Sequence, residues 1–274
     1  MKSYPLIAAK VAKEFWCITP EVFDAIRSGL DGRADGMPVN IPMMPEEPDD
    51  TQDGYSDGMV AVIPVFGVLG KHLSQFEMMC GGASVDAIGA QLSAAANNAE
   101  ISKIILAFHS PGGMVMGIPE LASKIDQVST IKPVLAFADG LCCSAALWLA
   151  SVCTAFYVTP SSAIGSVGCY SLLLDYSDKL AKDGVKVNAI VDGEFKMAGA
   201  SFKPLADGER AMFQASVDKI GSDFRSALTE HRAIDAADMQ GQVFTGIEAT
   251  AKGFTDGLVQ DLAECIEMAR NVNA

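Results

Sequence analysis

The sequence has no CxxC pair, no cluster of Lys and Arg, and only three histidines, none in a recognisable Ser/His/Asp spacing. Each shortage removes a class of function. Binding nucleic acid requires basic side chains gathered against phosphates, and a formal charge of −14 with dispersed cations reads against it. Seven cysteines without paired spacing read as small buried hydrophobes in a reducing cytosol rather than as a disulfide frame or a metal site, and no cofactor is called for. The start, MKSYPLIAAKVAKEF, breaks its apolar run with Lys10, Lys13 and Glu14, so it does not read as a secretory leader. The one long uncharged stretch, Gly140 to Val158, is diluted by Cys142, Cys143, Ser144, Ser151, Cys153 and Thr154 and ends in a strand-like Phe156-Tyr157-Val158, which argues against a membrane span.

The rest of the chain is rich in hydrophobic residues, 50% of 274, enough for a sizeable core. Residues 4 to 28 read as two short amphipathic helices, the second opened by Thr19-Pro20-Glu21, and Phe15, Trp16, Val22, Phe23 and Ile26 call for an apolar partner. Residues 29 to 58 hold four prolines and eight acidic residues with no hydrophobic period, and read as a linker or arm. The globular domain, 59 to 274, opens with the buried-strand run Met59 to Val65. Helix 84 to 99, strand 103 to 109, helix 117 to 128, strand 133 to 138 and a helix after Ser144 follow in turn. This alternation predicts an α/β fold with a mainly parallel sheet flanked by helices. Further strands are expected at 156 to 158, 166 to 174 and 186 to 191, a long helix at 207 to 232, and a small helix-strand-helix tail.

Three stretches carry chemistry. Ser144 stands between a glycine-led turn and an apolar helix, a place for a nucleophile, although a lone serine there is more often a helix N-cap. Ser110-Pro111-Gly112-Gly113 after a strand can turn bare N–H groups toward an oxyanion, and can equally be only a tight turn. Lys196, between Phe195 and Met197, would lose proton affinity if those neighbours desolvated it, and would otherwise be a solvated surface lysine. Cys143, beside Ser144, lacks an activating base of its own, and His109 reads as a strand-end residue.

The segments HSPGGMVMG (109 to 117), CCSAALWLAS (142 to 151), AIGSVG (163 to 168), GEFKMAGASFKPL (193 to 205) and VFTGIEATAKGFTDGLVQDL (243 to 262) occur together in this order. In that set the chain resembles the signal peptide peptidase A family of serine-lysine proteases, on the ClpP/crotonase-like fold with its repeated β-β-α units, and within it the tailed-phage head-assembly proteases. The resemblance covers roughly 59 to 265, and more weakly the WCITPEVFDAI pattern near the start. It implies Ser144 as nucleophile, Lys196 as general base, Ser166 as the hydroxyl that orients the lysine, and backbone N–H groups of Gly113 or Gly112 and of Ala145 as oxyanion donors. Alanines at 145 and 146 depart from the glycine that often follows the family's serine. The resemblance further implies a polypeptide substrate such as scaffold or capsid protein, or the chain itself. It also implies a ring-forming homo-oligomer and a host-cytoplasmic setting, inside or outside a capsid precursor.

Met114, Met116, Leu147 and Trp148 are expected to line an apolar cleft suited to small or apolar side chains beside the scissile bond. Three alternatives stand beside capsid processing: general degradation of signal-peptide-like peptides, an acyl-CoA enzyme on the related fold, and a non-catalytic shell component. A serine-lysine pair has no evident use in the acyl-CoA enzyme.

Overall fold

The computed structural model describes residues 14–34, 55–57 and 59–271. The chain alternates strand and helix from its first long strand. β1 (Trp16–Ile18) and α1 (Pro20–Ala34) precede β2 (Tyr55–Asp57), β3 (Val60–Phe66), β4 (Val68–Gly70), α2 (Gln75–Met79), β5 (Gly82–Ser84) and α3 (Val85–Asn97). Then come β6 (Lys103–Ser110), β7 (Gly112–Met114), α4 (Ile118–Ser129), β8 (Val134–Cys143), α5 (Ala145–Ser151), β9 (Ala155–Val158) and β10 (Ala163–Gly165). The chain closes with α6 (Ser177–Lys182), α7 (Asp207–His231), β11 (Val243–Thr245), α8 (Gly246–Ala251), β12 (Gly257–Leu258) and α9 (Leu262–Asn271).

Two sheets result. The larger runs β11-β10-β8-β6-β3-β2, with β9 beside β8 and β12 beside β9. Its interior pairings are parallel, while β2 and β11 close its edges antiparallel. The smaller runs β1-β7-β4-β5. β3 and β6 each leave the large sheet, turn at Gly67 or Pro111-Gly112, and continue as β4 or β7 of the small one before a helix returns. This is the expected repeated β-β-α unit, and the expected mixed α/β architecture with a mainly parallel sheet is present.

Residue parity explains why the large sheet is covered on both faces. In β6, Ile104, Leu106 and Phe108 join the main core beneath α3, α4 and α5, while Ile105 and Ala107 face the other side with Cys265, Ile266 and Ala269 of α9. β8 divides the same way, Val134, Ala136 and Ala138 against Leu135 and Phe137. Successive side chains point to opposite faces, so a strand buried on both sides must read as one continuous apolar run. α5 is buried along its whole length. Trp148 on it stacks on Phe224 of α7 at 4.8 Å between ring centroids. Arg232, just past α7, donates from Nε to the Ser151 carbonyl (3.1 Å) and from Nη2 to that of Cys153 (2.8 Å), satisfying acceptors at the α5 C-terminus, and pairs with Asp256.

Several expectations are corrected. Trp16–Ile18 is a strand rather than part of a helix, because its backbone pairs with β7 along one edge and with Tyr170 along the other. The helix opened at Pro20 runs on to Ala34, and Tyr55–Asp57 pairs with β3, so the arm expected at 29 to 58 is structured at both ends. Its middle, 35–54, and the helix expected before residue 14 lie outside the described residues. Residues 166–174 form no strand beyond a single bridge at Tyr170; the strand is at 163–165 instead. No strand forms at 186–191, where each residue is exposed and no neighbouring strand offers a ladder. Among the described residues no helix is long and apolar enough to cross a membrane; Gly140 to Val158 is the end of β8, α5 and β9.

Candidate active site

β8 ends at Cys143 and α5 begins at Ala145, leaving Ser144 as the elbow between them with φ 54° and ψ −118°. A non-glycine residue in that region costs on the order of 1–3 kcal/mol and persists only where its surroundings over-determine it. They do so here. The Ser144 N–H donates to the Gly165 carbonyl at 2.8 Å, extending the β8–β10 ladder, and its own carbonyl accepts from the Trp148 N–H at 3.0 Å to start the helix. Ser144 occupies the N-cap position, yet its side chain makes no capping bond. Capping therefore does not account for the serine.

The glycine turn lies against this elbow. Gly112 has φ +100°, and a Cβ built on it would stand 2.1 Å from the Cys17 carbonyl oxygen and 3.0 Å from the Ala145 nitrogen. Its N–H donates to Ser110 Oγ (3.2 Å), which donates onward to the Gly67 carbonyl (2.6 Å). The Gly113 N–H is engaged as well. Thr19 N–H to Pro111 O (3.2 Å) and Val115 N–H to Phe15 O (3.0 Å) bracket the β1–β7 ladder, so Cys17 and Gly113 form its mutually hydrogen-bonded pair. The Gly113 N–H thus points at the Cys17 carbonyl of β1, so an oxyanion could take it only in place of that carbonyl.

Ser166 belongs to the same junction. It follows Gly165, has φ 56°, and its N–H donates to the Gln242 carbonyl at 2.6 Å. Lys196 does not join it. The lysine sits in a turn closed by its own N–H to the Gly193 carbonyl (3.2 Å), and its side chain is exposed, so the burial expected from Phe195 and Met197 is not found. Phe195 is itself 44% exposed. Among the described residues no hydrogen bond or ion pair links Lys196 to Ser144 or Ser166. Of the expected cleft residues, Met114 packs with β1, Leu147 and Trp148 lie in the main core, and Met116 is 53% exposed.

The neighbouring thiols do not compete with Ser144. Burial pushes Cys143 up to about 12. The neighbouring Cys169 thiol and burial hold Cys17 well above the ordinary thiol range. Cys169, half-buried, is lowered by the same neighbour. A cavity of about 220 Å³ opens on the far side of Cys169, lined by Val167, Gly221, Arg225 and Met239 among others and not by Ser144. His109 Nδ1 lies 2.9 Å from the Asp139 carbonyl at the end of β6, a structural contact.

Sequence reasoning missed β1 and its bridge to Tyr170, which border the glycine turn beside Ser144. The available signal was Trp16-Cys17-Ile18, two β-favouring large residues around a small one immediately before a helix cap.

Comparison with known proteins agrees with this geometry. The chain is 32% identical over 203 residues to Capsid assembly protease C of Escherichia phage lambda, covering 73% of this chain and 46% of that protein. It is 30% identical over 218 residues to Head-tail preconnector protein GP5 of Enterobacteria phage P21, covering 78% and 44%. The chain thus spans less than half the length of these two relatives. A solved enoyl-CoA hydratase/isomerase family member superposes over 81% of this chain and 76% of its own, with a TM-score of 0.43 and 15% identity. The family model described as Peptidase family S49 matches residues 126–273, a stretch that includes Ser144, Ser166 and Lys196. With over half of its length so matched and a strained, uncapped serine at the strand-to-helix elbow, the chain belongs to peptidase family S49.

Proposed function

We propose that the chain is a serine endopeptidase that uses Ser144 as nucleophile and Lys196 as general base, and that cleaves scaffold or capsid proteins, or itself, during phage head maturation in the host cytoplasm. The observation that carries this reading is the Ser144 elbow: a strained serine whose side chain caps nothing, set beside the N–H groups of Ala145 and Gly113. The names of the two phage relatives supply the substrate class.

The chemistry follows from the positions. Lys196, once brought to Ser144, accepts its proton as Oγ attacks the scissile carbonyl. The Ala145 N–H at the start of α5 and the Gly113 N–H donate to the oxyanion, and removing one such donor costs on the order of 10²–10³ in rate. Ser166 hydrogen-bonds the lysine amine and holds it toward Ser144. Lys196 then protonates the leaving amine, and water resolves the acyl-enzyme by the same route.

An exposed Lys196 means that the dyad closes by movement of the 183–203 arm or by contribution from a second copy. Ile190 is fully exposed at 103%, with Val185, Val187 and Phe195 also open, and so much apolar surface on one arm favours a homo-oligomer. The test is intact-mass spectrometry after prolonged incubation with a fluorophosphonate, on wild type, Ser144→Ala and Lys196→Ala. A single adduct at Ser144, absent from both variants, is expected; no adduct either on the folded wild-type chain or on a folded variant with residues 15–19 released would overturn the reading.

A further inference from the structure

Ser144 is only 1% exposed, and the chain's own residues 15–19 lie against the glycine turn beside it, the Cys17 carbonyl oxygen 2.1 Å from where a Gly112 Cβ would stand and that Cβ 3.0 Å from the Ala145 nitrogen. Trp16, Cys17 and Ile18 are each 1% exposed. β1 runs antiparallel to β7 on one side. On its other side the Trp16 N–H donates to the Tyr170 carbonyl (2.9 Å) and the Tyr170 N–H to the Trp16 carbonyl (3.0 Å). The segment is therefore an extended strand held by backbone bonds on both edges. Its Cys17 carbonyl oxygen lies against Gly112, beside the Ala145 nitrogen and in the pair with Gly113, which is where an oxyanion would be held.

We propose that residues 15–19 are a built-in occupant of the peptide groove, lying where a substrate strand would pair with β7, so that Ser144 is closed until this segment is displaced. The inference rests on the peptidase reading above and adds regulation to that site. Pairing an extended segment with an exposed strand edge is a recurrent way to bind peptides, and a tethered segment competes at a high effective concentration. Only the minor fraction of molecules with β1 displaced can react, so apparent reactivity falls by that fraction.

The anchor lies outside the reacting groups. Trp16 and Phe23 of α1 meet edge to face at 5.4 Å, and Phe23 meets Tyr170 at 5.7 Å. With Ile18 and Met114 they form a cluster separate from the two cores that hold the sheet. Of the segment only Cys17 belongs to the main core, so its departure takes one small side chain from that core and none from the other.

The experiment compares wild type, Trp16→Ala, Phe23→Ala and the double variant by amide hydrogen exchange and by the rate of fluorophosphonate labelling of Ser144. Faster exchange at 15–19 and 112–115, with unchanged exchange in β6 and β8, will accompany at least tenfold faster labelling. A synthetic peptide of residues 14–20 added to the double variant will slow labelling again. Labelling within twofold of wild type despite released exchange would overturn the proposal. No labelling of any protein despite released exchange would instead overturn the peptidase reading itself.

Discussion

Around Ser144, four segments fix the backbone: β8 enters, α5 leaves, β10 accepts its N–H, and the Gly112 turn packs so close that a methyl group would collide. Around Lys196 there is one turn bond and solvent. The proposed nucleophile and oxyanion donors are thus built into the sheet, while the proposed base rides on an arm that this chain alone leaves uncovered. An elbow in strained geometry needs a rigid frame; a lysine that must surrender a proton to act as base needs an environment that can assemble and exclude water. Rigid and assembled halves should fail differently when altered.

The sharpest break in the comparison is Lys196→Ala. Because the side chain is exposed, global stability by urea unfolding should stay within about 0.5 kcal/mol of wild type, while fluorophosphonate labelling of Ser144 falls to background. A parallel loss of stability would show that the arm is part of the frame after all.

Gly112→Ala attacks the other half. The new Cβ would occupy the position 2.1 Å from the Cys17 oxygen and 3.0 Å from the Ala145 nitrogen, filling the space an oxyanion needs. Labelling should slow by about 10²–10³, the range for loss of one oxyanion donor. Wild-type rates in this variant would remove Gly112 and its neighbour from the reaction.

Phe224→Ala tests the frame without touching the reacting groups. Phe224 is fully buried and stacks on Trp148 of α5, so its truncation should cost about 3–5 kcal/mol of unfolding free energy. Below the transition, labelling should change little, since the Ser144 backbone bonds remain. A large loss of labelling in protein that unfolds like wild type would instead tie α5 position directly to reactivity.

The same contrast explains what could be read in the sequence. β3, β6 and β8 are apolar on both faces, and α7 repeats its apolar residues at helical spacing down to Phe224 and Leu228, so local pattern and tertiary burial agree there. Ser144, Gly112 and Gly113 stood out for a related reason: a glycine turn and a serine before an apolar helix already imply the backbone they adopt. Lys196 stood out by its large apolar neighbours as well as by resemblance, but whether Phe195 and Met197 desolvate it depends on partners that its own sequence neighbourhood does not specify. β1 was read as helix because three residues are too few for a period, and its strand state comes from β7, Tyr170 and Phe23, which are distant in sequence. Strands at 166–174 and 186–191 are expected from composition alone, and beyond the single Tyr170 bridge neither finds a paired edge.

Ile190→Asp gives the smallest change in stability and still discriminates. The residue is 103% exposed, so a charge there should alter unfolding by less than about 0.5 kcal/mol in the isolated chain. If the arm packs on a second copy to bring Lys196 to a neighbouring Ser144, the substitution places a carboxylate in that apolar contact, and sedimentation should show a lower mass together with slower labelling. If the arm instead folds onto its own Ser144, labelling should fall with the mass unchanged. The two halves of the site are then joined within one chain.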